Sequence, residues 1–256
     1  MSKSEISGEP KDSLGYRMKR YEDVPRISLT PRMPMLLRID GRAFHTYTRA
    51  FDRPWDLSIR DAMTAIATAL MHEVSGAKIA YLQSDEVSVA VTDDDRLDSQ
   101  AWFGKGVQKI CSVAASIATA AFSDRIPLGR ASATFDARCW VIPREDVNNY
   151  FLWRQRDASR NSVFMLGQAH FSHKALQGKN GPQIQDMLML DKAVNWNDLE
   201  TWKKRGWCVV RRAVEVDGVV RHEIEPDWDP PIFSQDREYI ERHMLPGERG
   251  EQGEAR

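Results

Sequence analysis

The sequence predicts an α+β fold, a ferredoxin-like βαββαβ core with added helices and a C-terminal β-hairpin. Three observations carry this. Segments of strand and helix periodicity alternate in that order over residues 34–143. A stretch without breakers except Gly167, residues 144–176, follows the completed core. Two alternating runs then flank Asp217-Gly218, a strong hairpin signal. With 256 residues, 42% of them hydrophobic, the chain can bury one sizeable core and an elaboration of it.

Each element has its own reason. Residues 1–15 are polar and contain Gly and Pro, so a frayed N-terminus is expected. "PMLLRIDG" (34–41) is a short apolar run that ends in Asp-Gly, a strand reaching a turn. "LSIRDAMTAIATALMHEV" (57–74) spaces its apolar residues as a helix, with Gly76 as the stop. Residues 77–92 read as two strands around a Ser-Asp-Glu turn, and 101–122 as a helix with a glycine-bearing start. "ASATFDARCWVIP" (131–143) alternates as a strand. Residues 144–176 predict a long helix with a break, and 180–190 another helix after a turn. The organisation expected is a catalytic core over 16–143, a helical and hairpin region over 144–226, and an acidic tail over 227–256.

Composition excludes some classes. No apolar run approaches ~18–20 residues, so no membrane span is expected. The first residues lack an apolar signal region, which points to the cytoplasm. Cys111, Cys139 and Cys208 stand far apart without a CxxC, against a cysteine-bound zinc and in keeping with a reducing compartment. The formal net charge of −1 hides an asymmetry. Residues 217–256 hold 5 Lys/Arg against 11 Asp/Glu, leaving the rest with 31 against 26. A mildly basic body allows a polyanionic partner without requiring one.

The chemistry concentrates in "KIAYLQSDEVSVAV" (78–91). Asp85 and Glu86 adjoin at the turn of an otherwise apolar hairpin. In the ferredoxin-like order the first strand's end and this turn share one edge of the sheet. Asp40, which ends the first strand, therefore meets them there. Oxygen ligands without His or Cys select a hard cation, Mg²⁺ or Mn²⁺. Gly41 lets its backbone carbonyl approach closely. Two such ions would activate an attacking hydroxyl and stabilise a leaving pyrophosphate. A surface hairpin with Asp in its turn is the plain alternative.

"RIDGRAFHTYT" (38–48), "YLQSDEVSV" (81–89) and "YFLWRQRDASRNSV" (150–163) resemble the tRNA-His guanylyltransferase family, over roughly residues 15–215. The resemblance implies a polymerase-palm core that extends RNA 3′ to 5′. It implies metal ligands at Asp40, the Gly41 carbonyl and Asp85, with Glu86 beside them. Two Mg²⁺ per site are implied, with ATP and GTP or other NTPs as substrates. A 5′-monophosphate end is adenylylated, and the NTP 3′-hydroxyl then attacks it. Eukaryotic members carry a His-Ile-Asn-Asn type motif where "DASRNSV" stands here, so Ser159 replaces the histidine while Asn161 is retained. "FSHKALQGKNGPQIQDML" and "NWND" look like the bacterial and archaeal guanylyltransferase-like proteins, 3′–5′ RNA polymerases that repair tRNA 5′ ends. By the same analogy a homotetramer, a dimer of dimers, is expected.

Further candidates surround this set. Arg38 shares a strand face with Asp40 and is read as a triphosphate ligand or a structural ion pair. By resemblance Phe44 and His45 touch the incoming nucleotide. Ser84 holds it through a hydroxyl or simply forms the turn. Lys105 and Lys109, i and i+4 at a helix start, are read as triphosphate contacts or solvated surface. Arg53 and Asp56 are weaker nucleotide contacts. Arg154, Asp157 and Asn161 recur on one helix face, which points at nucleotide and RNA or forms a polar network. Arg156 and Arg160 widen its positive charge. His170 and His173 lack further ligands for a metal site. "WKKRGW" (202–207) places Lys203, Lys204 and Arg205 between tryptophans, a tRNA-backbone contact or a solvated basic turn.

The function expected is template-dependent 3′–5′ nucleotide addition at the tRNA 5′ end. A tRNA-His-specific guanylyltransferase and a non-catalytic tRNA-binding protein are the alternatives, and a nucleotide cyclase on the same palm is a further enzyme reading.

Overall fold

The computed structural model describes residues 13–126, 133–216 and 219–245. The Asp217-Gly218 turn, residues 1–12 and residues 246–256 lie outside the described residues.

The predicted core is present. Strand β1 (Met35–Gly41) leads through a short helix α2 (Phe44–Tyr47) to helix α3 (Leu57–Glu73). Strands β2 (Ala77–Gln83) and β3 (Glu86–Val91) form a hairpin, and helix α4 (Val107–Ser123) returns the chain to strand β4 (Phe135–Val141). Strands β5 (Trp207–Val216) and β6 (Val219–Asp227) then add to the free edge of β2. The sheet order is β4-β1-β3-β2-β5-β6, and every pairing is antiparallel. The first four strands have the ferredoxin-like order.

Both faces of this sheet are covered. Helices α3 and α4 pack on one face, against Leu37, Ile39, Leu82, Val87 and Val89. The other face carries Leu36, Ile79, Tyr81 and Ala90. It receives the long helix α5 (Arg144–His170) and the short helix α9 (Glu238–Met244). Double cover explains why β2 and β3 read as nearly continuous apolar runs. The rest of α5 packs with α6 (His173–Leu176) and α7 (Gly181–Lys192) around Leu166, Ile184 and Leu188.

Local signals fix the helix ends. Asp56 caps α3 by accepting from the Ser58 and Ile59 amides. Asn180 and Gln183 form a capping box on α7. Gly76, at φ +82°, ends the α3 connection, and a Cβ there would meet the Thr92 carbonyl oxygen at 1.9 Å. A leading helix α1 (Leu14–Asp23), capped by Ser13, begins within the segment expected to fray.

Two expectations need correction. The stretch after Asp227 is not merely an acidic tail. Phe233, Tyr239, Ile240 and Met244 are buried against α5 and the sheet, because an amphipathic turn of helix hides among the acidic residues. The helix expected over 101–122 starts later, at Val107. Before it, Trp102–Lys105 forms a 3-10 turn in which Phe103 and Lys105 take positive φ.

That turn buries Lys105. Its Nζ donates to the carbonyls of Thr30 (2.9 Å) and Met33 (2.7 Å) and to Asp93 Oδ1 (2.9 Å). Its side chain is 4% exposed and that of Asp93 5%. Removing one partner of a buried, hydrogen-bonded ion pair strands the other. Lys105→Ala is therefore expected to lower unfolding stability by about 3 kcal/mol, read as a shift of the urea midpoint at unchanged slope. A nucleotide-binding role would instead leave the midpoint in place and weaken NTP binding.

Candidate active site

Strand register assembles the site. On the α5 face, Asp40 stands opposite Glu86 on β3 and opposite Asp136 on β4. One step back, Arg38 stands opposite Ser88 and Arg138. The end of the sheet therefore presents a row of carboxylates with arginines behind it. Asp85 joins from the hairpin turn, where Ser84 takes a left-handed φ of 50°. The Gly41 amide donates to the Asp85 carbonyl at 3.2 Å and locks the end of β1 to the turn. A Cβ on Gly41 would fall 2.5 Å from the Phe44 ring and 3.0 Å from Asp85 Oδ2. Only glycine lets β1 and the Asp85 carboxylate come this close.

The charges are answered unequally. Glu86 accepts from Arg154 Nε and Nη2, both at 2.7 Å, a bidentate pair with both side chains largely buried. Asp136 is held by Arg138 at 3.1 Å. The Arg138 guanidinium is kept more firmly charged by Asp136 first, with Asp40 and Glu86 adding to the field. Among the described residues neither Asp40 nor Asp85 has an ion pair. Burial, then the charge of Asp40, pushes the Asp85 carboxyl up to about 6, against a hydrogen bond from Ser84. Arg38 has no ion pair among the described residues, and its Nε is buried without a hydrogen-bond partner.

Asp85 opens onto a cleft of about 370 Å³ between the start of α3, the β2–β3 turn, the second half of α5 and the short helix α8 (Thr201–Arg205). His45, Ser84, Arg53 and Asn161, read as nucleotide contacts, line it together with Lys203, read as a tRNA-backbone contact. Phe44 also lines it but is 6% exposed, packed against Phe122, Phe135 and Tyr47. Asp56 borders the cleft with its carboxylate engaged in the α3 cap.

Several expectations fall elsewhere. Glu86 is neutralised by Arg154, so its charge needs no metal. Arg154, predicted to hold RNA, is buried in that pair. Asp157 accepts from Arg154 (3.1 Å), Arg160 (2.6 Å) and Asn161 (3.3 Å), so the Arg154–Asp157–Asn161 face is largely an internal polar network. Arg160 points to solvent, tied to Asp157. Lys105 and Lys109 sit at the wrong end of the sheet. Lys105 binds Asp93, just past the far end of β3, whereas the last turn of α4 brings Phe122 to Phe44. Lys109 is exposed, over the Phe103 ring at 4.6 Å. Lys204 and Arg205 face away from the cleft and line a separate hollow.

Trp202 and Trp207, the tryptophans of "WKKRGW", wall the cleft. Other residues went unread. Trp55 joins that wall, and Arg60 stacks between Trp202 (5.1 Å) and Trp228 (4.5 Å). Asp136 and Arg138 could have been found. "DAR" on β4 is the antiparallel mirror of "RID" on β1. Cys111 and Cys139 lie 3.7 Å apart as free thiols, away from these groups.

The donor set fits a hard cation. It comprises two carboxylates without a cationic partner and a glycine carbonyl, all oxygen. No group of three His, Cys, Asp or Glu side chains among the described residues is placed to hold a metal, His170 and His173 included.

Comparison with known proteins points to one family. The family model described as tRNAHis guanylyltransferase matches residues 15–143, from α1 through β4. A bacterial tRNA(His) guanylyltransferase (Thg1)-like protein, solved in complex with ATP, is 44% identical with a TM-score of 0.85, covering 91% of this chain and 99% of that one. A bacterial protein of the same description in complex with GTP gives 44% identity over the same shares and a TM-score of 0.81. The probable tRNA(His) guanylyltransferase of Drosophila melanogaster is 26% identical over 81% of this chain and 77% of its own.

Asp85 also makes a stability prediction. Its folded pKa, about 6, lies above its ordinary 3.8, so folding favours the protonated acid. Its ionisation therefore costs stability that is absent below about pH 4 and complete above about pH 6. Asp85→Asn is expected to stabilise the metal-free protein by about 2–3 kcal/mol at pH 7, the advantage shrinking as pH falls through 6 toward 4. Urea titrations of both proteins across that range check it. An advantage that does not change with pH contradicts the burial argument.

Proposed function

The chain belongs to the tRNAHis guanylyltransferase family of nucleotidyltransferases, and from that premise we propose that it adds nucleotides to the 5′ end of tRNA in the 3′-to-5′ direction, copying the opposite strand to repair shortened ends. The observation that carries this reading is the convergence of the Asp40 and Gly41 strand end on Asp85, which itself lines a cleft large enough for a nucleotide.

Asp40, the Gly41 carbonyl and Asp85 are the residues that would hold two Mg²⁺, which when bound lower the pKa of a hydroxyl nucleophile and neutralise a leaving pyrophosphate. The cleft takes the NTP, with His45, Ser84 and Asn161 around it and Lys203 at its side. Arg38, behind Asp40 with a buried unpartnered Nε, is suited to a phosphate oxygen. Arg154 keeps Glu86 fixed and so preserves the position of the strand end. In the first step the 5′-monophosphate attacks the α-phosphorus of ATP, forming the adenylylated end and releasing pyrophosphate. The 3′-hydroxyl of the next NTP then attacks the activated 5′-phosphorus, AMP leaves, and the chain is one nucleotide longer. A 5′-triphosphate end enters at the second step and releases pyrophosphate.

Two observations support repair over obligate tRNA-His guanylylation. Ser159 stands where the eukaryotic motif has histidine. The bacterial Thg1-like structures share 44% identity with this chain. The second reading, addition of G to tRNA-His alone, is favoured by the name of the Drosophila relative and by the retained Asn161. Among the described residues no helix is long and apolar enough to cross a membrane. The cytoplasm and a tetrameric assembly belong to the same reading.

A tRNA transcript lacking its first 5′ nucleotide, incubated with ATP, labelled NTPs and Mg²⁺, tests the proposal. Extension at the 5′ end by the nucleotide complementary to the opposite strand is expected. G added only to tRNA-His establishes the second reading, and no addition by folded protein sinks both. Asp40→Asn and Asp85→Asn are each expected to slow extension by about 10³-fold or more while tRNA affinity stays within about twofold. Full activity in either variant would remove the carboxylate pair from the mechanism.

A further inference from the structure

Helix α8 separates two hollows. On one side Trp202 and Lys203 line the cleft. On the other Lys204 and Arg205 line a second hollow of about 290 Å³, with Arg156 and Ser159 of α5 opposite. Trp196 stands in the wall between them. Its indole Nε1 donates to Ser162 Oγ at 2.9 Å, and that hydroxyl donates to the Lys203 carbonyl at 2.6 Å. The second hollow is therefore distinct from the cleft, and the spacer between them is rigid and hydrogen-bonded.

Its charge is one-sided. Among the described residues three cations line it and no carboxylate does. Lys204 Nζ donates to the Asn197 carbonyl at 2.6 Å. Arg205 donates to the Pro230 carbonyl (3.4 Å) and the Thr201 hydroxyl (3.3 Å). These acceptors are neutral. Asp229 lies 3.9 Å from Arg205, but its side chain is 82% exposed and its field is screened by water. Arg156 has no ion pair among the described residues. The Ser159 hydroxyl donates to the Gln155 carbonyl at 3.0 Å and the Asn197 amides to Asn195 Oδ1, so the cations and the Ser234 hydroxyl are the groups of this lining suited to phosphate oxygens.

We propose that this hollow anchors a backbone phosphate of the same RNA strand whose 5′ end lies in the cleft, with Arg156 and Lys204 as its cations. The proposal rests on the reading that the substrate is tRNA. The five residues of α8 span about 7 Å, so a strand leaving the cleft past Lys203 reaches Lys204 within a short stretch of backbone. Ser159 keeps the hollow open, since a large side chain at that position of α5 would project into it. A backbone phosphate positions the strand without reading its sequence, which suits an enzyme that takes its instruction from the opposite strand.

Arg156→Glu, Lys204→Glu and Ser159→Trp test it, each with its thermal midpoint compared with wild type. The readouts are affinity for the shortened tRNA transcript at several salt concentrations and the KM for NTP. Each Glu variant is expected to bind the transcript about tenfold more weakly and to lower the salt slope by about one, at unchanged NTP KM. Ser159→Trp keeps every charge and is expected to weaken the transcript severalfold by filling the hollow. An unchanged salt slope in the Glu variants overturns the site. So does full affinity in Ser159→Trp, or an NTP KM that rises in step with the loss of RNA binding. Wild-type protein that extends no RNA end would strike the underlying reading itself, whereas unchanged slopes in an active protein strike the anchor alone.

Discussion

Like-charge crowding at one end of the sheet governs this molecule. Antiparallel register sets Asp136, Asp40 and Glu86 side by side, and the β2–β3 turn adds Asp85. Two unit charges 4 Å apart near a protein surface repel by about 4 kcal/mol, so such a row does not persist unanswered. The fold supplies Arg154 to Glu86 and Arg138 to Asp136. It supplies no cation to Asp40 or Asp85 among the described residues, and the Asp85 carboxyl shows the consequence by holding its proton up to about pH 6. The residual charge is thus confined to Asp40 and to Asp85, which borders the cleft. The row is internally balanced at its margins and deficient at its centre.

Helix α5 makes that arrangement mechanical as well as electrostatic. Its first half buries Val147, Tyr150 and Phe151 on the sheet, and Tyr150 meets Ser88 at 2.8 Å beside Glu86. Arg154 then pins the helix to the end of β3. The next residue, Gln155, donates to the Pro231 carbonyl and accepts from the Phe233 amide, which draws the C-terminal segment onto the helix. The segment after Asp227 is therefore held by the helix that holds the carboxylates. Beyond it, Asn161, Ser162 and Met165 form a wall of the cleft. A single rigid element thus sets the distance between the strand end and the cleft.

What the sequence disclosed follows from what pattern can encode. The βαββαβ order was legible because each element shows its periodicity locally, and the order brings the end of β1 to the β2–β3 turn without further information. That Asp40, Gly41 and Asp85 meet was legible for that reason. Lys105 and Lys109 were misread because i, i+4 spacing presumes a helix already begun. A 3-10 turn with positive φ at Phe103 and Lys105 breaks it, and the direction of α4 puts its start at the far end of the sheet. Arg154 and Glu86 could not be paired from sequence, since 68 residues separate them and only packing chooses which acid an arginine meets. Phe44 shows the opposite case, one side chain serving both core and cleft wall, which residue type alone does not distinguish. The acidic composition after Asp227 concealed four buried apolar side chains, because average charge hides a short amphipathic stretch.

The same logic explains why the two ends of the sheet contribute unequally to stability. Asp85 ionised, near Asp40 and largely buried, destabilises the folded chain, and Gly41 adds the backbone freedom of a residue without a Cβ. Neither would survive selection for stability alone. The doubly covered sheet compensates: β2 and β3 are buried on both faces, and the Lys105–Asp93 pair closes the opposite end of the sheet with every donor used. The far end of the sheet is satisfied so that the near end can remain unsatisfied. Strain of this kind is tolerable only where the surrounding elements cannot relax around it. Arg154 prevents that relaxation by holding Glu86, and with it the first residue of β3, against α5.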